Sequence, residues 1–208
     1  MKKGLLAVIF SLFLSTITLF AQGPTLLTHV DFEQSIPAGW TVSSSSNVAT
    51  TTAIASTGNQ SLRMTPASSE VIITSPEFAI TPGCATRLEF SHIPILENQK
   101  GGRVEVKKPN GTWQTLSLNG TQMPNCYDPS YGGGHLQFNG AFFKTLYWTG
   151  NASIPIADLD QSYWKNEIFY LFSTLGGTAT SVQIRFILPQ TTGTAANFTG
   201  WFLDDIRL

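Results

Sequence analysis

The sequence predicts an all-β sandwich, and three observations carry that expectation. Apolar and polar residues alternate in about ten short runs separated by Gly, Pro, Asn and Ser. No segment of a dozen residues keeps helical periodicity free of breakers. Charged residues make up only 12 % of the chain while Ser, Thr, Gly and Asn are abundant, a balance that suits strands with polar outer faces joined by long turns.

Taken from its start, residues 1–21 carry two lysines, an apolar run from Leu5 to Phe20 broken only by Ser and Thr, and a small residue at Ala21. This pattern predicts a secretory signal peptide cleaved after Ala21. A membrane anchor is the alternative, but the run is shorter than the roughly 20 residues that span a bilayer and polar Gln22-Gly23-Pro24 follows it. No cysteine stands immediately after that site, which argues against lipid attachment there, and nothing later is apolar enough to span a membrane. The expected mature protein is one domain over residues 22–208, exported to the cell surface or beyond. Without Lys2 and Lys3 its balance is 10 basic to 13 acidic residues, a net of −3. No basic stripe is present, which argues against nucleic acid as a partner.

Expected strands are Leu26 to Phe32, Ser61 to Met64, Val71 to Thr74, Phe78 to Ile80, Thr86 to His92, Gly102 to Lys107, Thr112 to Leu116, Ile168 to Ser173, Ser181 to Leu188 and Gly200 to Leu208. Pro109-Asn110-Gly111 should turn a hairpin, with the glycine supplying positive φ. Ser43 to Ser46 and Thr50 to Thr52 read as polar loop. Asn119 to Lys165 is too long for an ordinary connection and carries nine Tyr, Phe and Trp residues, so it reads as a functional insertion. Within it, Ile156 to Tyr163 should form a helical turn begun near Pro155.

The closing stretch Gly200 to Leu208 is apolar enough to be buried yet contains adjacent Asp204 and Asp205. Buried carboxylates need a partner. The expected neighbour is the first strand, where His29-Val30-Asp31-Phe32-Glu33 repeats the design, so that pairing the two would gather up to four carboxylates. Strict alternation along residues 201–208 cannot bury both Leu203 and Ile206, which predicts a bulge at the Asp pair. Calcium takes six to eight oxygen ligands and would suit such a cluster; pairing of the aspartates with Arg63 or Arg207 is the alternative.

Cys84 and Cys126 are the two cysteines. In an exported chain an even count suggests a disulfide, against two unpaired thiols. Their spacing makes no zinc site.

Catalytic arrangements are thin. His29, His92 and His135 lack metalloprotease spacing, and neither a nucleophile elbow nor a phosphate-binding loop occurs. A glycosidase would need two carboxylates across a cleft; Glu89, Glu97, Glu105, Asp128, Asp158, Asp160 and Glu167 are the candidates away from the termini. Sugar binding instead uses aromatic faces with a few polar groups, and Trp113, Tyr127, Tyr131, Trp148, Tyr163 and Trp164 are the platforms on offer, with packing of the insertion onto the sandwich as their alternative role. Asn-x-Ser/Thr triplets begin at Asn59, Asn110, Asn119, Asn151 and Asn197 and read either as glycan acceptors or as a reflection of the Asn/Thr-rich composition.

Five motifs in order carry a family resemblance: Asp31-Phe32-Glu33 with Ile36-Pro37-Ala38-Gly39-Trp40, Gly58 to Met64, Ile73 to Phe78, Leu88-Glu89-Phe90, and Trp201 to Ile206. Together they resemble bacterial cleaved-adhesin and choice-of-anchor-J domains, relatives of the MAM domains. The resemblance implies a two-sheet antiparallel jelly roll of galactose-binding-like type, acting as a non-catalytic adhesion or glycan-binding module at a bacterial surface, often within a larger protein. It also implies a structural calcium near the terminal strands, for which Asp31, Glu33, Asn59, Asp204 and Asp205 are the matching positions. The expected partner is a glycan or an extracellular protein. A jelly-roll glycoside hydrolase or polysaccharide lyase is the alternative, and a structural spacer the third reading.

Overall fold

The computed structural model describes residues 25–95, 102–116, 154–190 and 199–208. These residues form a two-sheet antiparallel jelly-roll sandwich. Thirteen strands are described, in chain order β1 (His29–Val30), β2 (Thr41–Val42), β3 (Val48–Thr51), β4 (Ser61–Met64), β5 (Val71–Thr74), β6 (Phe78–Ala79), β7 (Arg87–Ile95), β8 (Arg103–Lys107), β9 (Trp113–Thr115), β10 (Lys165–Tyr170), β11 (Ser181–Val182), β12 (Ile184–Leu188) and β13 (Gly200–Arg207). The first sheet has the order β10-β7-β13-β4-β3, with β1 also paired to β13. The second has the order β2-β5-β12-β8-β9, and β6 with β11 makes a small separate ribbon.

Period-two alternation puts Leu62, Met64, Leu88, Phe90 and Leu203 of the first sheet opposite Val71, Ile73, Val104, Val106, Ile184 and Phe186 of the second in one continuous core. The Phe186 ring meets Phe90 edge-on at 5.1 Å and Trp201 at 5.8 Å, joining the two sheets at the centre. Offset and edge-on aromatic pairs of this kind add to the burial of their area. One polar chain runs through the same region: Trp201 Nε1 donates to His92 Nδ1 at 3.1 Å, and His92 Nε2 stands 3.3 Å from Glu167 Oε1. With Nδ1 accepting, the proton of a neutral ring sits on Nε2 and faces the carboxylate.

The expected pairing of the terminal strands is present, with His29 opposite Arg207 and Val30 opposite Ile206. So is the expected bulge. The register of β13 on β7 shifts between Asp204 and Arg207, and Asp205 takes φ +51°. That extra residue lets Leu203 and Ile206 both point into the core, each fully buried.

Three local expectations are corrected. Val48–Thr51 is a strand although the Thr50 to Thr52 run reads as loop, because Val48 and its partners in β4 supply the buried face. The strand expected over Ile168 to Ser173 ends at Tyr170, where Phe172–Leu175 forms the short helix α1. Gly176 at φ +77° then closes α1. The helical turn expected from Ile156 is split into two 3₁₀ turns, Ile156–Asp158 and Gln161–Tyr163. The Pro109-Asn110-Gly111 hairpin joins β8 to β9 as expected, with Gly111 at φ +82°. Most of the Asn119 to Lys165 insertion lies outside the described residues, as do residues 1–24.

Gly200 opens β13 at φ +113°, and a Cβ there would collide with the backbone carbonyl of Met64. Gly83 has φ +80° but open space around it. Gly200→Ala is therefore expected to cost on the order of 2 kcal/mol or more, and Gly83→Ala about 1 kcal/mol from backbone strain alone. Urea unfolding of the two variants beside the wild type measures the difference.

Candidate functional site

The seam between β1, β4 and β13 shows how the carboxylates are held. Asp204 is fully buried. Its Oδ2 accepts from the backbone N–H of Ser56 at 2.8 Å and Thr57 at 3.2 Å, and its Oδ1 accepts from Asp205 N at 2.8 Å. Glu33 Oε1 accepts from Asn59 N at 2.8 Å and Gln60 N at 2.9 Å, and Gln60 Nε2 donates back to the Glu33 carbonyl at 2.8 Å. One turn, residues 56–60, thus aims four amides at two acidic side chains from opposite ends of the chain. Gly58, at φ +64°, has no room for a Cβ because the Glu33 carboxylate occupies the space.

The remaining two acids are placed differently. Asp205 Oδ1 lies 2.9 Å from His29 Nε2 and 3.3 Å from Arg207 Nη2. Asp31 caps its own turn, accepting from Glu33 N at 3.2 Å. Arg63, the other expected partner, donates to the Thr199 carbonyl and lies over the Phe202 ring. Burial pushes the Asp204 carboxyl up to about 6 against the pull of its three backbone donors. Among the described residues no basic side chain pairs with Asp204, and no group of three or more His, Cys, Asp or Glu stands close enough to hold a metal ion.

A second constellation lies on the face of the β2-β5-β12-β8-β9 sheet that points away from the core. Strand register sets it out in rows. Thr41 pairs with Thr74, Thr74 with Arg185, Arg185 with Glu105, and Glu105 with Thr115, so one polar row crosses all five strands. At 4.7–4.9 Å per strand the row spans roughly 19 Å. Two residues along on β8 and β9, Lys107 pairs with Trp113, and Lys107 Nζ donates to Gln183 Oε1 at 3.4 Å.

Glu105 organises this face. Its Oε2 takes Arg185 Nε at 2.7 Å and Nη2 at 2.5 Å, and its Oε1 takes Arg103 Nε at 2.9 Å and Thr115 Oγ1 at 3.4 Å. Arg103 continues through Nη2 to Glu70 at 2.8 Å. Burial alone would raise the Glu105 carboxyl, but the hydrogen bonds and charges of Arg103 and Arg185 outweigh it and hold the group below its ordinary value. Fixed in this way, Arg185 lays its guanidinium over the Trp113 ring, 4.2 Å from the centroid.

The expected aromatic platforms divide. Trp113 lies partly exposed on this face. Tyr163 belongs to the core, 8 % exposed, and Trp164 packs against it with its Nε1 buried and without a hydrogen-bond partner among the described residues. Their place beside Ile154 and Leu171 in the apolar cluster gives them a packing role instead. Tyr127, Tyr131 and Trp148 lie outside the described residues. Cys84 is exposed after β6, and Cys126 lies outside the described residues. Of the carboxylates weighed for acid–base work, Glu105 is held between two arginines, Glu167 is buried against His92, Glu89 pairs with Arg87 at 2.7 Å, and Asp160 caps the second 3₁₀ turn. Arg185, Gln183 and the threonines were not among the sequence candidates, since only cross-strand register places them beside Trp113.

No protein-family model matches the chain, and no curated protein matches it. Solved structures similar to it include TmCBM61 in complex with β-1,4-galactotriose, at 14 % identity and TM-score 0.46, covering 85 % of this chain and 91 % of that one. Another is the K3 cleaved adhesin domain of Lys-gingipain from Porphyromonas gingivalis W83, at 14 % identity and TM-score 0.45, covering 88 % and 98 %. A third is the CBM22-1 xylan-binding domain of Paenibacillus barcinonensis Xyn10C, at 13 % identity and TM-score 0.46, covering 90 % and 95 %.

Because the folded Glu105 carboxyl lies below its unfolded value of 4.5, its contribution to stability is present above that value and lost as pH falls through the folded one. The thermal midpoint of the wild type should therefore drop more between pH 6 and pH 3 than that of Glu105→Gln, which has already lost the interaction. Equal drops would mean that the arginine–carboxylate network contributes nothing to acid sensitivity.

Proposed function

We propose that the protein is an exported, non-catalytic carbohydrate-binding module and that its site is the outer face of the second sheet. The observation that carries this reading is the polar row from Thr41 to Thr115 with Trp113 and its stacked arginine beside it. A pyranose offers an apolar C–H face to an indole and hydroxyls to Thr, Gln, Arg and carboxylate groups, and this face presents both chemistries on rigid strands. A glycoside hydrolase or lyase finds less support: Glu105 is below its ordinary range, where a general acid needs a raised value. The cleaved-adhesin resemblance and the signal-like leader are consistent with a module acting outside the cell.

The same proposal extends to calcium at the terminal seam, held by oxygens of Asp31, Glu33, Asn59, Asp204 and Asp205. Carboxylates, carbonyls and amide oxygens are the hard donors that calcium takes, and a cation would give buried Asp204 the positive partner missing among the described residues. No three acidic groups are gathered there, so backbone carbonyls and water would complete the shell.

Two expected outcomes test these statements. Trp113→Ala should abolish retention on an immobilised polysaccharide column while the circular dichroism spectrum stays that of the wild type; unchanged retention would remove this face as the site. For the seam, millimolar calcium at pH 7 should raise the thermal midpoint of the wild type and not of Asp204→Ala. A hundredfold excess over Kd corresponds to about 2.7 kcal/mol. A wild-type midpoint indifferent to calcium and to chelator would remove the cation and leave these acids to the protein donors already described.

A further inference from the structure

We infer that the ligand of the second sheet's outer face is an acidic polysaccharide, a glycan chain carrying uronate carboxylates; this rests on the glycan-binding reading above. The charges on that face decide the class. Arg103, Lys107 and Arg185 stand against Glu70 and Glu105, three cations to two carboxylates, on a chain whose full sequence has a net charge of −1. The pairing of these groups is uneven. Arg103 has its charge matched, bonded to both Glu70 and Glu105. Glu105 is matched as well, accepting from two arginines and Thr115. The nearby Glu77 is engaged by the Ser181 hydroxyl.

Lys107 is the group left over. Its ammonium has one contact, to the amide oxygen of Gln183 at 3.4 Å, and no carboxylate pairs with it among the described residues. It sits directly across the strand pair from Trp113, and Lys108 follows at the start of the hairpin turn without a salt bridge among the described residues. Arg185 spends Nε and Nη2 on Glu105 and its π face on Trp113, leaving Nη1 without a hydrogen-bond partner among the described residues. A neutral sugar would use the indole and the hydroxyl-bonding groups but would leave the Lys107 charge unmatched. A uronate answers both features at once, with its ring on the Trp113–Arg185 stack and its carboxylate on Lys107, where a charge-assisted hydrogen bond is roughly twice as strong as a neutral one.

The row of five residues adds an expectation about length. Crossing all strands over roughly 19 Å, it is open along a line rather than closed around one sugar, and so suits an internal stretch of a chain.

The experiment is titration calorimetry of the whole chain with polygalacturonate oligomers, xylan and galactan oligomers, and dextran sulfate, at low and high salt. The inference expects binding of the uronate oligomers in preference to the neutral glycans, weakening with salt, and growing with oligomer length up to about the span of the row. Lys107→Met, which keeps the aliphatic stem, should lower uronate affinity about tenfold and leave any neutral binding unchanged. Binding of neutral glycans with no response to Lys107→Met overturns the acidic class and leaves the module standing. Dextran sulfate binding as tightly as uronate, with Trp113→Ala without effect, also overturns it, since charge alone would then be read. Failure of every glycan to bind removes the module reading itself.

Discussion

A carboxylate placed inside a sheet must be answered by donors, and the answer given to Asp204 shapes one whole side of this fold. β13 is buried from Gly200 to Ile206 and forms the middle of its sheet, so water is not on hand to solvate the acid. The turn at residues 56–60 supplies the donors instead. That turn can come close only because Gly58 adopts φ +64° and has no side chain, and the next two amides of the same turn, Asn59 and Gln60, hold Glu33 just after the first strand. Backbone N–H groups converging on an anion form the local opposite of a metal cage. Closure of the domain and satisfaction of its buried charge are therefore one set of bonds.

The second sheet solves a different problem with the same economy of means. Its inner face is fixed by the core, and period two then leaves Arg103, Glu105, Lys107 and Arg185 with nowhere to go but outward. Four long polar side chains on neighbouring strands would be a mobile surface if unpaired. Glu105 removes that freedom by binding both arginines, and a partly desolvated, bidentate arrangement is the kind of surface ion pair that holds its geometry. The Trp113 ring is held in turn by the Arg185 guanidinium stacked on it. Entropy that a ligand would otherwise have to remove is already removed.

Much of the first constellation was legible in sequence because its signals are local. The adjacent aspartates in an apolar stretch, the impossibility of burying Leu203 and Ile206 on one regular strand, and the echo of the pattern at His29 to Glu33 together imply the terminal pairing and the bulge. The identity of the partner was not legible, because backbone amides carry no residue signature. The second constellation was hidden for another reason. Trp113 could be named as an aromatic near a hairpin, but Arg185 lies seventy-two positions away and meets it only through two strand registers. Tyr163 and Trp164 show the converse, since composition groups them with Trp113 while packing into and against the core separates them. Val48–Thr51 was missed because the threonines from Thr50 on favour turns when read locally, and tertiary pairing with β4 overrode that preference.

The position of β13 in the chain also governs when the domain can form. Its neighbours β1, β4 and β7 are all made before it, and His29 must wait for Asp205, 176 residues later. Until Gly200–Arg207 has left the ribosome or the export channel, β7 and β4 lack the strand between them. Their facing edges stay open. Contacts of such long sequence separation pay their loop-closure entropy before any reward arrives, so folding should be slow, late and all at once. A keystone strand made after all its neighbours is a delay built into the chain order itself.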